Sequence, residues 1–259
     1  MAERVDTVAI LGLGLIGGSL ARALRAKGFC RRVIGYGHRE PSLRRGLELG
    51  VIDGFTLDLD EVIASADILV ICTPTLVAAD VLGSILPRLQ GLARVPVITD
   101  AASVKGNLYA AAKTACGGEF PPELVLGHPI AGSERSGVEA SKADLYENHR
   151  VILTPVAEND DDAVTLVRDM WLATGAEVVH MDVAQHDAVL AATSHLPHVL
   201  AYALVDALAQ SESSEEIFRG AAGGFRDFTR IASSDPVMWR DIAIANKNAL
   251  LDAIDLFSE

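Results

Sequence analysis

Val5-Asp6-Thr7-Val8-Ala9-Ile10-Leu11-Gly12-Leu13-Gly14-Leu15-Ile16-Gly17-Gly18-Ser19 begins the chain's readable pattern with a strand, a glycine turn and a helix start. The apolar, β-branched run predicts a buried strand from Val5 to Leu11. Ser19 to Lys27 reads as a helix stopped at Gly28. A bare G-x-G-x-x-G recurs in many loops, but between a strand and a helix it has a mechanical reading. Gly12 permits the tight turn, Gly14 lets the main chain approach a pyrophosphate, and Gly17 lets the helix pack closely on the strand. The first helical turn, with Leu15 and Ile16, then offers amides and a partial positive charge to phosphates. The plain alternative is a tight turn that holds no ligand.

Beyond this turn, short β-like runs alternate with helical ones. Strands are expected at Arg32–Tyr36, Ile68–Cys72, Val95–Asp100, Val125–Gly127, Val151–Leu153 and Glu177–Met181, and helices at Pro41–Leu49 and Ala163–Thr174. Such alternation predicts an α/β, Rossmann-type N-terminal domain with a mostly parallel sheet, over residues 1–182. From Val183 onward no strand is legible. Ala184 to Leu208, Ile217 to Ala222 and Pro236 to Phe257 read as helices, so residues 183–259 form an all-helical C-terminal domain. Seventy-odd helical residues make a marginal core, which points to packing against the first domain or a second subunit, hence a homodimer.

Composition narrows the partners. The 259 residues carry 22 Lys plus Arg against 35 Asp plus Glu, a formal charge of −13. A nucleic-acid or anionic-membrane surface wants a basic face, so neither is expected. No apolar stretch is expected to reach the length that spans a bilayer, and a cytoplasmic location follows. Cys30, Cys72 and Cys116 are too few and too scattered for a disulfide framework or a zinc site, and Cys72 reads as a small core residue.

The second strand bears on the cofactor. An acid that holds a ribose hydroxyl is expected about 20 residues past the glycines. Gly37 stands there instead, followed by His38 and Arg39, which offer donors to a 2′-phosphate and favour NADP over NAD. Thr73 and Pro74 after the third strand, and Asp100 after the fourth, complete the candidate cofactor set, because ligands bind at the carboxyl ends of such strands. Four polar segments fall where loops are expected: Asp100 to Gly106, Gly127 to Glu134, Thr193 to His198 and Gly223 to Arg230. His128, set before a proline and between glycines, suits acid–base work. Plainer readings exist for the rest. Ser103 and Lys105 read equally as caps of a following helix. His195 and His198 read as satisfied interior side chains, with no metal expected. Arg226 and Arg230 read as surface ion-pair partners, and His186 as an exposed residue beside Asp187.

Together these segments resemble the prephenate/arogenate dehydrogenase family of tyrosine biosynthesis. The resemblance rests on Gly12 to Ser19, Asp100 to Gly106, Gly127-His128-Pro129-Ile130-Ala131-Gly132, Ser194-His195-Leu196-Pro197-His198 and Gly224 to Ala232. It runs from about residue 7 to residue 248. It implies a Rossmann domain followed by a helical dimerisation domain, and an oxidative decarboxylation of a cyclohexadienol with hydride transfer to NAD(P). It makes His128 the acceptor of the 4-hydroxyl proton, with Ser103 orienting it or the hydroxyl. His195 matches a substrate-pocket position and Arg226 one that grips a substrate carboxylate, with Ser133 and Glu134 beside them. The rival readings are another Rossmann-plus-helix dehydrogenase, of β-hydroxyacid or imine type, and a nucleotide-binding sensor without turnover.

Overall fold

The computed structural model describes residues 5–132 and 135–259, which divide into two compact units, one ending at His186 and the other running Asp187–Glu259. In the first, six parallel strands are β1 Val5–Leu11, β2 Cys30–Tyr36, β3 Gly54–Thr56, β4 Ile68–Ile71, β5 Val97–Asp100 and β6 Leu124–Val125, ordered β3-β2-β1-β4-β5-β6. Between them run the helices α1 Leu15–Ala26, α2 Glu40–Glu48, α3 Leu59–Ser65, α4 Thr75–Ile85 and α5 Gly106–Ala115. Side chains alternate along β1, so both of its faces need cover. Val8 and Ile10 are buried with Leu20 and Leu24 of α1, whereas Ala9 and Leu11 are buried with Leu82 of α4 and Leu108 of α5. The strand order reverses between β1 and β4, and the crevice at their carboxyl ends is where such sheets bind ligands.

A second, three-stranded sheet holds β7 Gly127–Pro129 antiparallel to β8 Arg150–Leu153, with β8 parallel to β9 Glu177–His180 and α6 Asp161–Ala173 between the last two. The single strand expected at Val125–Gly127 is thus two, split at Leu126. The reason is local: Leu126 O accepts from Thr154 N at 2.9 Å, and Gly127 N turns to the Asp100 carboxylate at 3.1 Å. α1 also starts at Leu15 rather than Ser19. Packing carries two poor helix formers inside it, since a Cβ on Gly18 would sit 2.9 Å from Ser141 Cβ.

The remaining elements are helical: α7 Val183–Leu190, α8 Leu196–Ala209, α9 Ser214–Arg219, α10 Gly223–Thr229, α11 Pro236–Ala245 and α12 Lys247–Ser258. α7 and α8 join through one wide turn, Ala191–His195, in which Leu196 N donates to Ala191 O five residues back. Pro197 has no N–H to continue the ordinary ladder, and wide turns of this kind gather at functional sites. The helix expected from Pro236 to Phe257 breaks at Asn246, whose backbone leaves helical geometry.

The expectation that no segment is long and apolar enough to cross a bilayer is corrected here. Val183–Ala209 is 27 residues long, with a window of mean hydropathy 1.4, and only 28% of that window is buried within this chain. Polar residues such as Ser194, His195 and His198 interrupt the run and hid its overall apolarity. An apolar surface of this kind is also what another protein surface covers.

Candidate active site

The crevice begins where β1 ends. Gly12 has φ +100°, and a Cβ on it would lie 2.9 Å from the Cys72 carbonyl carbon and from Thr73 Cγ2. That left-handed backbone and that close approach require glycine. The strand ends are knitted by Gly12 N to Tyr36 O at 3.0 Å and Cys72 N to Leu11 O at 2.7 Å. α1 then starts with Gly14 as its cap, with no side-chain cap and no acidic residue in its first turn. Its leading amides, including those of Leu15 and Ile16, are not taken up within the helix, and its dipole end is positive. Beside Gly14 a Cβ would meet nothing within 4 Å, so there is room for a phosphate. Thr73 Oγ1 is buried without a hydrogen-bond partner, and Pro74 caps α4 next to it. The glycine turn and this orphaned hydroxyl fit a dinucleotide. Burial holds the Cys72 thiol well above its usual titration range, so it stays inert.

Gly17 controls how closely α1 approaches β1. A Cβ there would collide with the Gly12 carbonyl oxygen and stand 2.7 Å from Ile10 Cγ2. Gly17→Ala must push the start of α1 off the strand, and overpacking of this kind costs about 1–3 kcal/mol. NADH or NADPH binding, followed by cofactor fluorescence, is expected to weaken by about tenfold. Unchanged affinity would show that the start of α1 does not hold the phosphates.

At the end of β2, a Cβ on Gly37 would meet nothing within 4 Å, and His38 and Arg39 are exposed. Next to Tyr36 opens a hollow of about 670 Å³, lined in part by Asp58, Asp60, Asp80 and Arg88. Asp58 caps α3 by accepting from Asp60 N and Glu61 N, and Arg88 pairs with Asp60 at 2.9 Å. Sequence reasoning did not find this hollow, because β3 and α3 are short and carry no pattern long enough to read.

A second set of groups gathers around β5 and β7. Asp100 and Lys105 are both fully buried and form an ion pair. The Asp100 carboxylate also accepts from Ala102 N at 2.8 Å and Gly127 N at 3.1 Å, while Lys105 Nζ donates to Gly127 O at 2.6 Å. Charge-assisted bonds therefore clamp the loop that carries Ser103 to the residue that precedes His128. Lys105 is thus not a solvent-facing helix cap, and Asp100 shapes the loop from inside it. Ser103 is half-buried, with its N–H donating to Thr75 Oγ1 at 3.4 Å. His128 stands on β7, opposite Ile152 of β8, rather than on a loop.

His186 corrects the reading of an exposed residue: it is fully buried, and its Nε2 lies 2.9 Å from His128 Nδ1. One nitrogen of the pair must donate and the other accept. If His128 keeps its Nε2 lone pair for a substrate proton, its Nδ1 carries the hydrogen and His186 receives it. His186 is the residue beside His128 that sequence reasoning missed. Gln185-His186-Asp187 looks like a polar surface stretch, and nothing local shows which helix face is buried.

In the helical unit, His195 is buried and His198 half-buried. Asn246 Nδ2 lies 3.1 Å from His195 Nδ1, and the Trp239 ring stacks on His198 with centroids 3.4 Å apart. Burial lowers the His198 pKa, and the Arg230 charge adds to the effect. Arg226 is exposed on α10. Ser133 and Glu134 lie outside the described residues.

Two family models match the chain: the prephenate dehydrogenase nucleotide-binding domain over residues 20–180, and the prephenate dehydrogenase dimerization domain over residues 182–259. A Bacillus subtilis prephenate dehydrogenase is 39% identical over 98% of this chain and 68% of its own length. A Zymomonas mobilis cyclohexadienyl dehydrogenase is 36% identical over 96% of this chain and 84% of its own. The crystal structure of prephenate dehydrogenase from A. aeolicus, in complex with hydroxyphenyl propionate and NAD+, superposes with a TM-score of 0.87. It is 39% identical and covers 98% of this chain and 87% of that one. With matches of this extent in both units, the chain belongs to the prephenate dehydrogenase family.

Proposed function

We propose that the chain oxidatively decarboxylates prephenate, arogenate or both, acting in the cytoplasm as a homodimer and taking NADP in preference to NAD. The observation that carries the reaction is the buried pair formed by His128, on a strand clamped to the Ser103 loop, and His186 of α7. The glycine turn, Thr73 and Pro74 hold the dinucleotide, the hollow beside Tyr36 takes its adenosine half, and His38 and Arg39 meet a 2′-phosphate. The nicotinamide, when bound, supplies a hydride acceptor. His128 takes the proton of the 4-hydroxyl as hydride leaves C4, and returns it to the aromatic oxygen once CO2 has gone. The bonding pair of the lost carboxylate becomes part of the aromatic ring. Ser103 orients the hydroxyl or the imidazole. Arg226 grips a substrate carboxylate, which this acidic protein does not attract through its overall field. His195 borders the substrate, and residues 183–259 supply the dimer contact, with Ser133 and Glu134 as further substrate neighbours.

The test is reduction of NAD and NADP by the purified protein with prephenate and with arogenate. Turnover in any mixture supports the reaction, and the best pair reports both preferences. Arg39→Ala is expected to raise KM for NADP about tenfold and to leave NAD unchanged, since a hydrogen bond to a charged group is worth ~1.5–3 kcal/mol. Preference for NAD with a silent Arg39→Ala would overturn the NADP reading and leave the reaction standing.

A further inference from the structure

Asn246 stands at the break between α11 and α12, 4% exposed, with its own N–H donating to Ile242 O at 2.9 Å and its carbonyl accepting from Leu250 N at 3.0 Å. Its backbone is therefore held from both helices. Its side-chain nitrogen lies 2.8 Å from Asp187 O and 3.1 Å from His195 Nδ1. A peptide carbonyl accepts and cannot donate, so the amide must present its NH2 group in this direction. One hydrogen serves Asp187 O and the other faces His195 Nδ1, which must then carry the lone pair. We propose that Asn246 is a positioning residue that fixes His195 as the Nε2–H tautomer, a neutral hydrogen-bond donor to an oxygen of the substrate.

The neighbouring histidine is held the other way. His198 Nδ1 lies 2.8 Å from Ser194 O, again a pure acceptor, so His198 carries its hydrogen on Nδ1 and keeps its lone pair on Nε2. Trp239 fixes both rings, edge-on to His195 with centroids 6.2 Å apart and stacked on His198 at an interplanar angle of 15°. Two histidines three residues apart thus offer opposite hydrogen-bonding roles, a donor at 195 and an acceptor at 198. A hydroxyl or carboxyl oxygen is the chemistry that a neutral N–H donor recognises. The substrate contact rests on the proposed reaction, whereas the tautomer does not.

The experiment is nitrogen-15 NMR of the histidine side chains in the full chain, with His195 assigned by the signals lost in His195→Gln. The wild type is expected to show unprotonated Nδ1 and protonated Nε2 at His195, and the reverse at His198. Protonated Nδ1 at His195 near neutral pH, as the other tautomer or as imidazolium, would overturn the proposal without any variant. Asn246→Ala removes the donor and is expected to let the His195 hydrogen divide between Nδ1 and Nε2 in the nitrogen-15 spectrum. It should raise KM for prephenate about threefold, and more than it lowers kcat, because a substrate oxygen then meets a lone pair in part of the molecules. A redistributed hydrogen with unchanged KM would uphold the tautomer assignment and remove the substrate contact.

Discussion

His128→Asn is expected to lower kcat for the cyclohexadienol substrate by about 100-fold or more, the usual loss when a general base is removed. Asparagine keeps a polar group of similar reach but cannot take a proton at neutral pH, so cofactor binding is expected to survive while turnover falls. The site explains why the loss should be large. His128 sits on a paired strand, its Nδ1 engaged by the buried His186 and its neighbour Gly127 held from both sides by Asp100 and Lys105. A base held this firmly cannot be replaced by a nearby group swinging in. Steady-state rates and cofactor titration of the variant check both statements. Turnover within threefold of wild type would assign the proton to another group.

Lys105→Met is expected to destabilise the protein by about 3–5 kcal/mol, the usual loss when one partner of a buried ion pair is removed. Both members are fully buried, so water cannot solvate the Asp100 carboxylate that remains. The amides of Ala102 and Gly127 still reach it, but they leave a net charge in the core. Adding Asp100→Asn to Lys105→Met removes that charge and should restore part of the loss, a coupling that independent surface residues would not show. Urea unfolding of the three proteins measures it. A single variant within about 1 kcal/mol of wild type would mean that water enters the site and the pair is not structural.

These two sites differ in how legible they were. His128 was readable because proline and two glycines flank it within a few residues, and the nucleotide turn because its glycines obey a local backbone requirement. Lys105 reads as a possible cap because its partners, Asp100 and Gly127, are five and 22 positions away, and no local pattern announces burial of a lysine. His186 reads as a surface residue because one polar triplet does not say which helix face is inward. Asn246 was hidden inside a run that looked like one continuous helix, because asparagine is tolerated in helices and its break depends on tertiary contacts. The parallel sheet was legible from apolar runs. The crossing from one sheet to the next at Leu126 was not, because the Asp100 carboxylate that directs it stands 27 positions earlier in the sequence.

Only 28% of the apolar window in Val183–Ala209 is buried within this chain. In the proposed homodimer, any part of it that a second copy covers is buried by mass action, and the folded fraction is then expected to rise with protomer concentration. Dilution would act on such a dimer as heat or urea acts on a monomer. Its thermal midpoint would belong to a concentration as much as to an amino-acid sequence.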